Sequence, residues 1–236
     1  MVSEAISRRA GIIGGLGPEI SSRFCLNVNE KFKDIANMQP DLVMENIPVS
    51  PDVEKELIEG GNPKKILDLL RNAVIRLNKS EVDFIVIPCN TVHFFLDDLR
   101  KISKKPILSI IEECVNECKE KKFRKIGLIA TSKTIQEKLF ENGLSGTGID
   151  LLLPTKTDQV RINKVILNIL NKNKNPGDKK IVMEIVKKLK NRGSEAVILG
   201  CTDISLLISS ENCKIPVLET VTILENSLVK NLIYNR

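Results

Sequence analysis

Apolar residues fall along this chain in two alternating patterns. Gly11-Ile12-Ile13, Asp41-Leu42-Val43-Met44 and Phe84-Ile85-Val86-Ile87 are short, nearly unbroken apolar runs, as in strands buried on both faces. Between the last two, Ile66, Leu67, Leu70, Val74 and Leu77 recur at helical spacing and predict a helix over 63–78. Pro106-Ile107-Leu108 follows, then a helix over 110–121. The pattern then restarts. Residues 125–130 read as a new first strand and 149–153 as a second, with a helix from about Asp158 and a break at Pro176-Gly177. A helix over 179–191 leads to a strand at 196–199. This alternation predicts an α/β fold of two similar parallel-sheet units with right-handed crossovers. A ligand is expected in the cleft between them.

In each half a later strand ends in a cysteine: Ile87-Pro88-Cys89-Asn90-Thr91 and Leu199-Gly200-Cys201-Thr202-Asp203. Open α/β sheets bind ligands at such carboxyl ends. Each cysteine opens a predicted helix, and a helix N-terminus is expected to lower a thiol pKa from ~8.5 toward neutrality. Two thiols on opposite faces of one carbon could deprotonate on one side and reprotonate on the other, inverting a stereocentre. The competing scheme is a single nucleophilic Cys89 with His93. Their i,i+4 spacing places the imidazole a turn further on, so His93 reads as a helix-face residue beside the site or in the core. Gly14-Gly15-Leu16-Gly17-Pro18 follows the first strand and opens a helix. Its backbone N–H groups suit a carboxylate or small anion; the alternative is a tight turn that needs glycine for geometry alone. It matches neither G-x-G-x-x-G nor a phosphate-binding P-loop.

Composition narrows the classes. The 236 residues are 42% apolar and 28% charged, enough for a packed core. No apolar run approaches the ~20 residues of a membrane span, and Met1-Val2-Ser3-Glu4 predicts no signal peptide, so no membrane partner is expected. The net charge of +6 is spread over helix surfaces such as Lys187-Lys188-Leu189-Lys190. With no Trp and one Tyr, base-stacking platforms are hard to build, which speaks against a nucleic-acid partner. Six cysteines (25, 89, 114, 118, 201, 213) with no Cys-x-x-Cys predict free thiols in reduced cytoplasm. Cys114 and Cys118 lie a helical turn apart without a partner cluster, and one histidine excludes multi-histidine metal sites.

At these segments the chain resembles the aspartate/glutamate racemase family, PLP-independent enzymes with two catalytic cysteines. The resemblance runs through Ile12-Ile13-Gly14-Gly15-Leu16-Gly17-Pro18, Pro88-Cys89-Asn90-Thr91-Val92-His93, Gly127-Leu128-Ile129-Ala130-Thr131-Ser132-Lys133-Thr134 and Gly200-Cys201-Thr202-Asp203. It implies two α/β domains related by a pseudo-twofold axis, 1–112 plus 215–236 and 113–214, usually in a homodimer. It makes Cys89 and Cys201 the acid/base catalysts, one per enantiomer. An amino-acid substrate would be held by Gly15, Leu16, Gly17, Asn90, Thr91, Val92, Thr131, Thr202 and Asp203, with neither PLP nor a metal. Three departures bear on specificity. Val53 stands where aspartate-specific members carry an arginine for the distal carboxylate; the family's lysine aligns near Asn171, with Lys172 one residue on; Asp203 replaces a glutamate. Leaving a buried second carboxylate unpaired costs several kcal/mol, so a less acidic substrate is expected. The alternatives are the related maleate isomerase and arylmalonate decarboxylase activities, or an amino-acid-binding protein without turnover.

Overall fold

The computed structural model describes residues 8–173 and 175–233. Met1 to Glu4, the outer ends of the expected first domain, and Lys174 lie outside them. Among the described residues, eight strands form two four-stranded parallel sheets. The first holds β1 (Arg9–Gly14), β2 (Asp41–Asn46), β3 (Phe84–Val86) and β4 (Ile107–Leu108) in the order β2-β1-β3-β4. The second holds β5 (Lys125–Ala130), β6 (Asp150–Leu152), β7 (Ala196–Gly200) and β8 (Val217–Glu219) in the order β6-β5-β7-β8. The order is the same in both halves, as the restarting pattern predicts. Equivalent strands also pair equivalently: Ala10 sits beside Phe84, and Ile126 beside Ala196.

Strand periodicity divides the side chains between three apolar cores. Ala10, Ile12, Phe84 and Val86 of the first sheet face a central core that also takes Ile126, Leu128, Ala130, Ala196 and Ile198 of the second. The alternate residues Ile13 and Ile85 turn to one outer core, and Ile129, Val197 and Leu199 to another. Helices α1 (Pro18–Ala36), α5 (Ile110–Glu120) and α10 (Thr220–Leu232) fill the centre, with Phe140 and Leu144 added from a short helix after β5. The first outer core is covered by α2 (Pro51–Glu59), α3 (Lys64–Lys79) and α4 (Leu96–Ile102). On the second sheet, the short α6 (Ser132–Gln136) and α7 (Leu139–Leu144) follow β5, while α8 (Lys156–Leu170) and α9 (Gly177–Asn191) cover the other outer core.

The strands and long helices fall within a few residues of their expected places. One boundary differs. β8 pairs in parallel with β7, and Val197 N–H donates to Pro216 O, so the second sheet continues past residue 214 through Glu219. Only α10 then returns to pack on α1 and α5. Among the described residues, no helix is long and apolar enough to cross a membrane.

Candidate active site

The carboxyl ends of β1, β3, β5 and β7 open onto one cleft. It is lined by Leu16 and Gly17 after β1, Cys89, Asn90 and Thr91 after β3, Thr131 after β5, and Cys201, Thr202 and Asp203 after β7. Glu54, Leu57 and Ile58 of α2, and Ile166 and Leu170 of α8, which packs against α2, cover it. The spacing i, i+3, i+4 puts the three α2 residues on one helical face. Leu57 belongs to the core of the first half, whereas Ile58 belongs to that of the second. Helix α2 therefore bridges the cleft.

Both cysteines sit in the same local frame. Each precedes a five-residue 3₁₀ turn, Thr91–Phe95 or Thr202–Leu206. The N–H groups of Thr91 and Val92 near Cys89, and of Asp203 and Ile204 near Cys201, favour the thiolate. These donors do not produce the expected acidic thiols. Burial pushes Cys89 up to about 12, with the Asp203 and Glu54 carboxylates adding to the rise against the two N–H groups. Cys201 is likewise well above the ordinary range, through burial first and then Asp203. In the resting protein the cost of desolvating a thiolate exceeds what one short turn returns.

The acid beside Cys201 is itself perturbed. Cys201 Sγ approaches Asp203 Oδ2 at 3.7 Å, a long S–H···O contact. Burial, followed by repulsion from Glu54, raises Asp203 to about 7. Glu54 is raised by burial as well, although its Oε1 accepts the Gly17 N–H at 3.2 Å. Gly17 has φ 74°, and a Cβ there would stand 3.0 Å from Asp203 Oδ1, so glycine is needed for both backbone and space. Gly15, at φ 94°, is fixed by a different neighbour: its Cβ would collide with the backbone of Ile47.

Hydroxyl and amide groups complete the floor. Thr91 Oγ1 lies 3.1 Å from Thr131 Oγ1, which lies 3.0 Å from Thr134 Oγ1; Thr134 Oγ1 is in turn 3.3 Å from Thr91 Oγ1. This buried ring joins the first half to the second. Asn90 Nδ2 donates to Thr220 Oγ1 at 2.9 Å, and Thr220 Oγ1 donates to Leu199 O at 2.8 Å. Asn90 is 1% exposed, yet its Oδ1 has no partner among the described residues. An acceptor buried in that way calls for a donor. His93 Nε2 accepts the Ile110 N–H at 3.3 Å, which leaves Nδ1–H to donate to Cys89 O at 2.8 Å. Burial lowers His93 to about 4, so the ring is neutral and supports the Cys89 backbone rather than its thiol.

Comparison with known proteins places this architecture. The family model described as Asp/Glu/hydantoin racemase matches residues 13–228. The chain belongs to that family. Membership makes it an isomerase, an amino-acid racemase by family. It is similar to a broad-specificity amino-acid racemase of Bacillus subtilis strain 168, 23% identical over 224 residues, which span 93% of this chain and 96% of the relative. An aspartate racemase structure from Picrophilus torridus shares the fold, with TM-score 0.81, 22% identity and coverage of 95% of this chain and 94% of that one. A structure of an aspartate racemase homologue from Pyrococcus horikoshii OT3 is similar at TM-score 0.78 and 25% identity, covering 96% of this chain and 100% of that one.

Of the residues picked out in the sequence of this racemase, nine line the cleft: Leu16, Gly17, Cys89, Asn90, Thr91, Thr131, Cys201, Thr202 and Asp203. Val92 packs into the first outer core, and Gly15 shapes the turn that places Leu16 and Gly17. The three specificity positions fall elsewhere. Val53 packs into the first outer core, while the cleft is lined by its neighbour Glu54. Asn171 caps α8 and is exposed, as is Lys172 at φ 54°, whereas Leu170 and Ile166 reach the cleft. Glu54, Leu57, Ile58, Ile166, Leu170 and Thr220 were not singled out in the sequence, and Thr134 stood there only as the end of a motif. The apolar members had a signal in their helical spacing; Thr220 had none, because its role comes from partners distant in the chain.

Proposed function

We propose that the protein is a PLP-independent amino-acid racemase that inverts the α-carbon with Cys89 and Cys201 as a two-thiol acid–base pair. One observation carries the reading: two thiols at the ends of equivalent strands, each just ahead of a 3₁₀ turn, line a single cleft. A thiolate on one side takes the α-proton, and the thiol opposite returns a proton to the other face. The next turnover runs in the opposite sense from the exchanged protonation states. Asp203, poised near neutrality beside Cys201, is placed to take that thiol's proton. A thiolate with a high pKa is a strong base, which suits the weakly acidic α-carbon. The Thr91, Thr131 and Thr202 hydroxyls and the nearby N–H groups suit the α-carboxylate, whose developing charge they would stabilise. Asn90 Oδ1 is the acceptor for the α-ammonium. No step in this scheme uses PLP or a metal. The reading includes a homodimer, twice the 26.4 kDa chain, in a reduced cytoplasmic setting.

Single-enantiomer amino acids incubated in D₂O without PLP test it by NMR. Loss of the α-proton signal together with appearance of the other enantiomer is expected. Cys89→Ala and Cys201→Ala should each lower racemisation by about 10³-fold or more. Full racemisation by either variant would rule the two-thiol scheme out.

A further inference from the structure

The cleft carries two carboxylates and no cation. Among the described residues, Glu54 and Asp203 line it and no Lys, Arg or His does. Neither acid has an ion-pair partner there; Glu54 Oε1 accepts only the Gly17 N–H, and Asp203 faces the Cys201 thiol. The Glu54 carboxylate adds to the upward shift at Asp203, second to burial. The rest of the wall is aliphatic: Leu16, Leu57, Ile58, Ile166 and Leu170. Two uncompensated acids against an aliphatic wall disfavour a substrate with a second carboxylate, by like-charge repulsion in a poorly solvated space. They favour one that brings a positive charge on an apolar stem.

The α-ammonium does not answer for both acids. It has its own place at the level of the thiols, where the buried Asn90 Oδ1 lacks a donor and Asp203 lies beside Cys201. Glu54 comes from a different element, α2, on the same helical face as Leu57 and Ile58. Resting on the racemase reading above, we propose that the substrate is an amino acid whose side chain is a methylene stem ending in an ammonium or guanidinium group. The aliphatic wall of α2 and α8 receives the stem, and Glu54 pairs with the cation. Glu54 is thus the specificity-determining residue, where Val53 had seemed to be.

Exchange of the α-proton in D₂O, measured as kcat/KM for lysine, ornithine, arginine, norleucine, glutamine, aspartate and glutamate, tests this directly. The basic amino acids should exceed norleucine, the uncharged stem, by tenfold or more. Glu54→Gln should lower the lysine-to-norleucine ratio by at least tenfold, and Glu54→Asp should keep part of it. High salt should narrow the ratio in the wild type. Preference for neutral or acidic amino acids, or an unchanged ratio in Glu54→Gln, would overturn the inference and leave the racemase reading standing. Exchange with no amino acid would overturn both.

Discussion

Asp203 and His93 show how burial moves two titrating groups in opposite directions. Asp203 rises from 3.8 to about 7 through desolvation and Glu54. Between those values the native protein holds a proton that the unfolded chain has released, so this group lowers stability as pH rises from about 4 to 7. His93 falls from 6.5 to about 4 by desolvation, so the unfolded chain binds the extra proton and stability rises over that range. The two slopes oppose each other. Asp203→Asn removes one and keeps the other, so its stability relative to wild type should climb by up to roughly 4 kcal/mol between pH 4 and 7. Urea melts at several pH values measure this; a difference that does not vary with pH would mean Asp203 titrates normally. The cysteines mark where sequence reasoning stopped short. Their place at strand ends was legible, but the direction of their pKa shift was not, because it depends on how completely other parts of the chain exclude water.

Helix α2 is the element on which the cleft depends most. Leu57 anchors it in one outer core and Ile58 in the other, while Gly60, at φ 102°, ends it. Ile58 is 4% exposed. Ile58→Ala should therefore cost about 2–4 kcal/mol and raise KM more than it lowers kcat, since the thiols stay on their strands. Thermal melts and steady-state kinetics separate the two effects; kcat falling alone would mean that α2 acts on the chemistry rather than on seating the substrate. The strands and long helices could be read from periodicity. The roles of α2 and α8 could not, since their inward residues look like ordinary core positions until the opposite half supplies the other wall.

Across the whole molecule, the central core draws on both sheets and on helices α1, α5 and α10. The halves therefore share one apolar core, and a single cooperative unfolding transition is expected. A buried polar lock reinforces it. Glu225 of α10, 2% exposed, accepts Asn27 Nδ2 at 2.8 Å and Lys31 Nζ at 2.7 Å from α1. Glu225→Ala removes the acceptor of Asn27 and one of two acceptors of Lys31, which keeps Asn226 Oδ1 at 2.8 Å, and should cost about 2 kcal/mol, read as a lower urea midpoint with an unchanged slope. Two separate transitions would show that the halves are coupled less tightly than this core requires.

The sequence by itself determined the repeated α/β pattern and the two Cys-containing strand ends, because strand and helix periods are local and a parallel strand must deliver its carboxyl end to the same side of its sheet. Only the tertiary structure decided which neighbours share the cleft. One residue along a helix turns a side chain by about 100°, enough to move the lining position from Val53 to Glu54 and from Asn171 to Leu170. The resulting surplus of negative charge comes from residues far apart in the chain, and their meeting is a property of packing rather than of any motif.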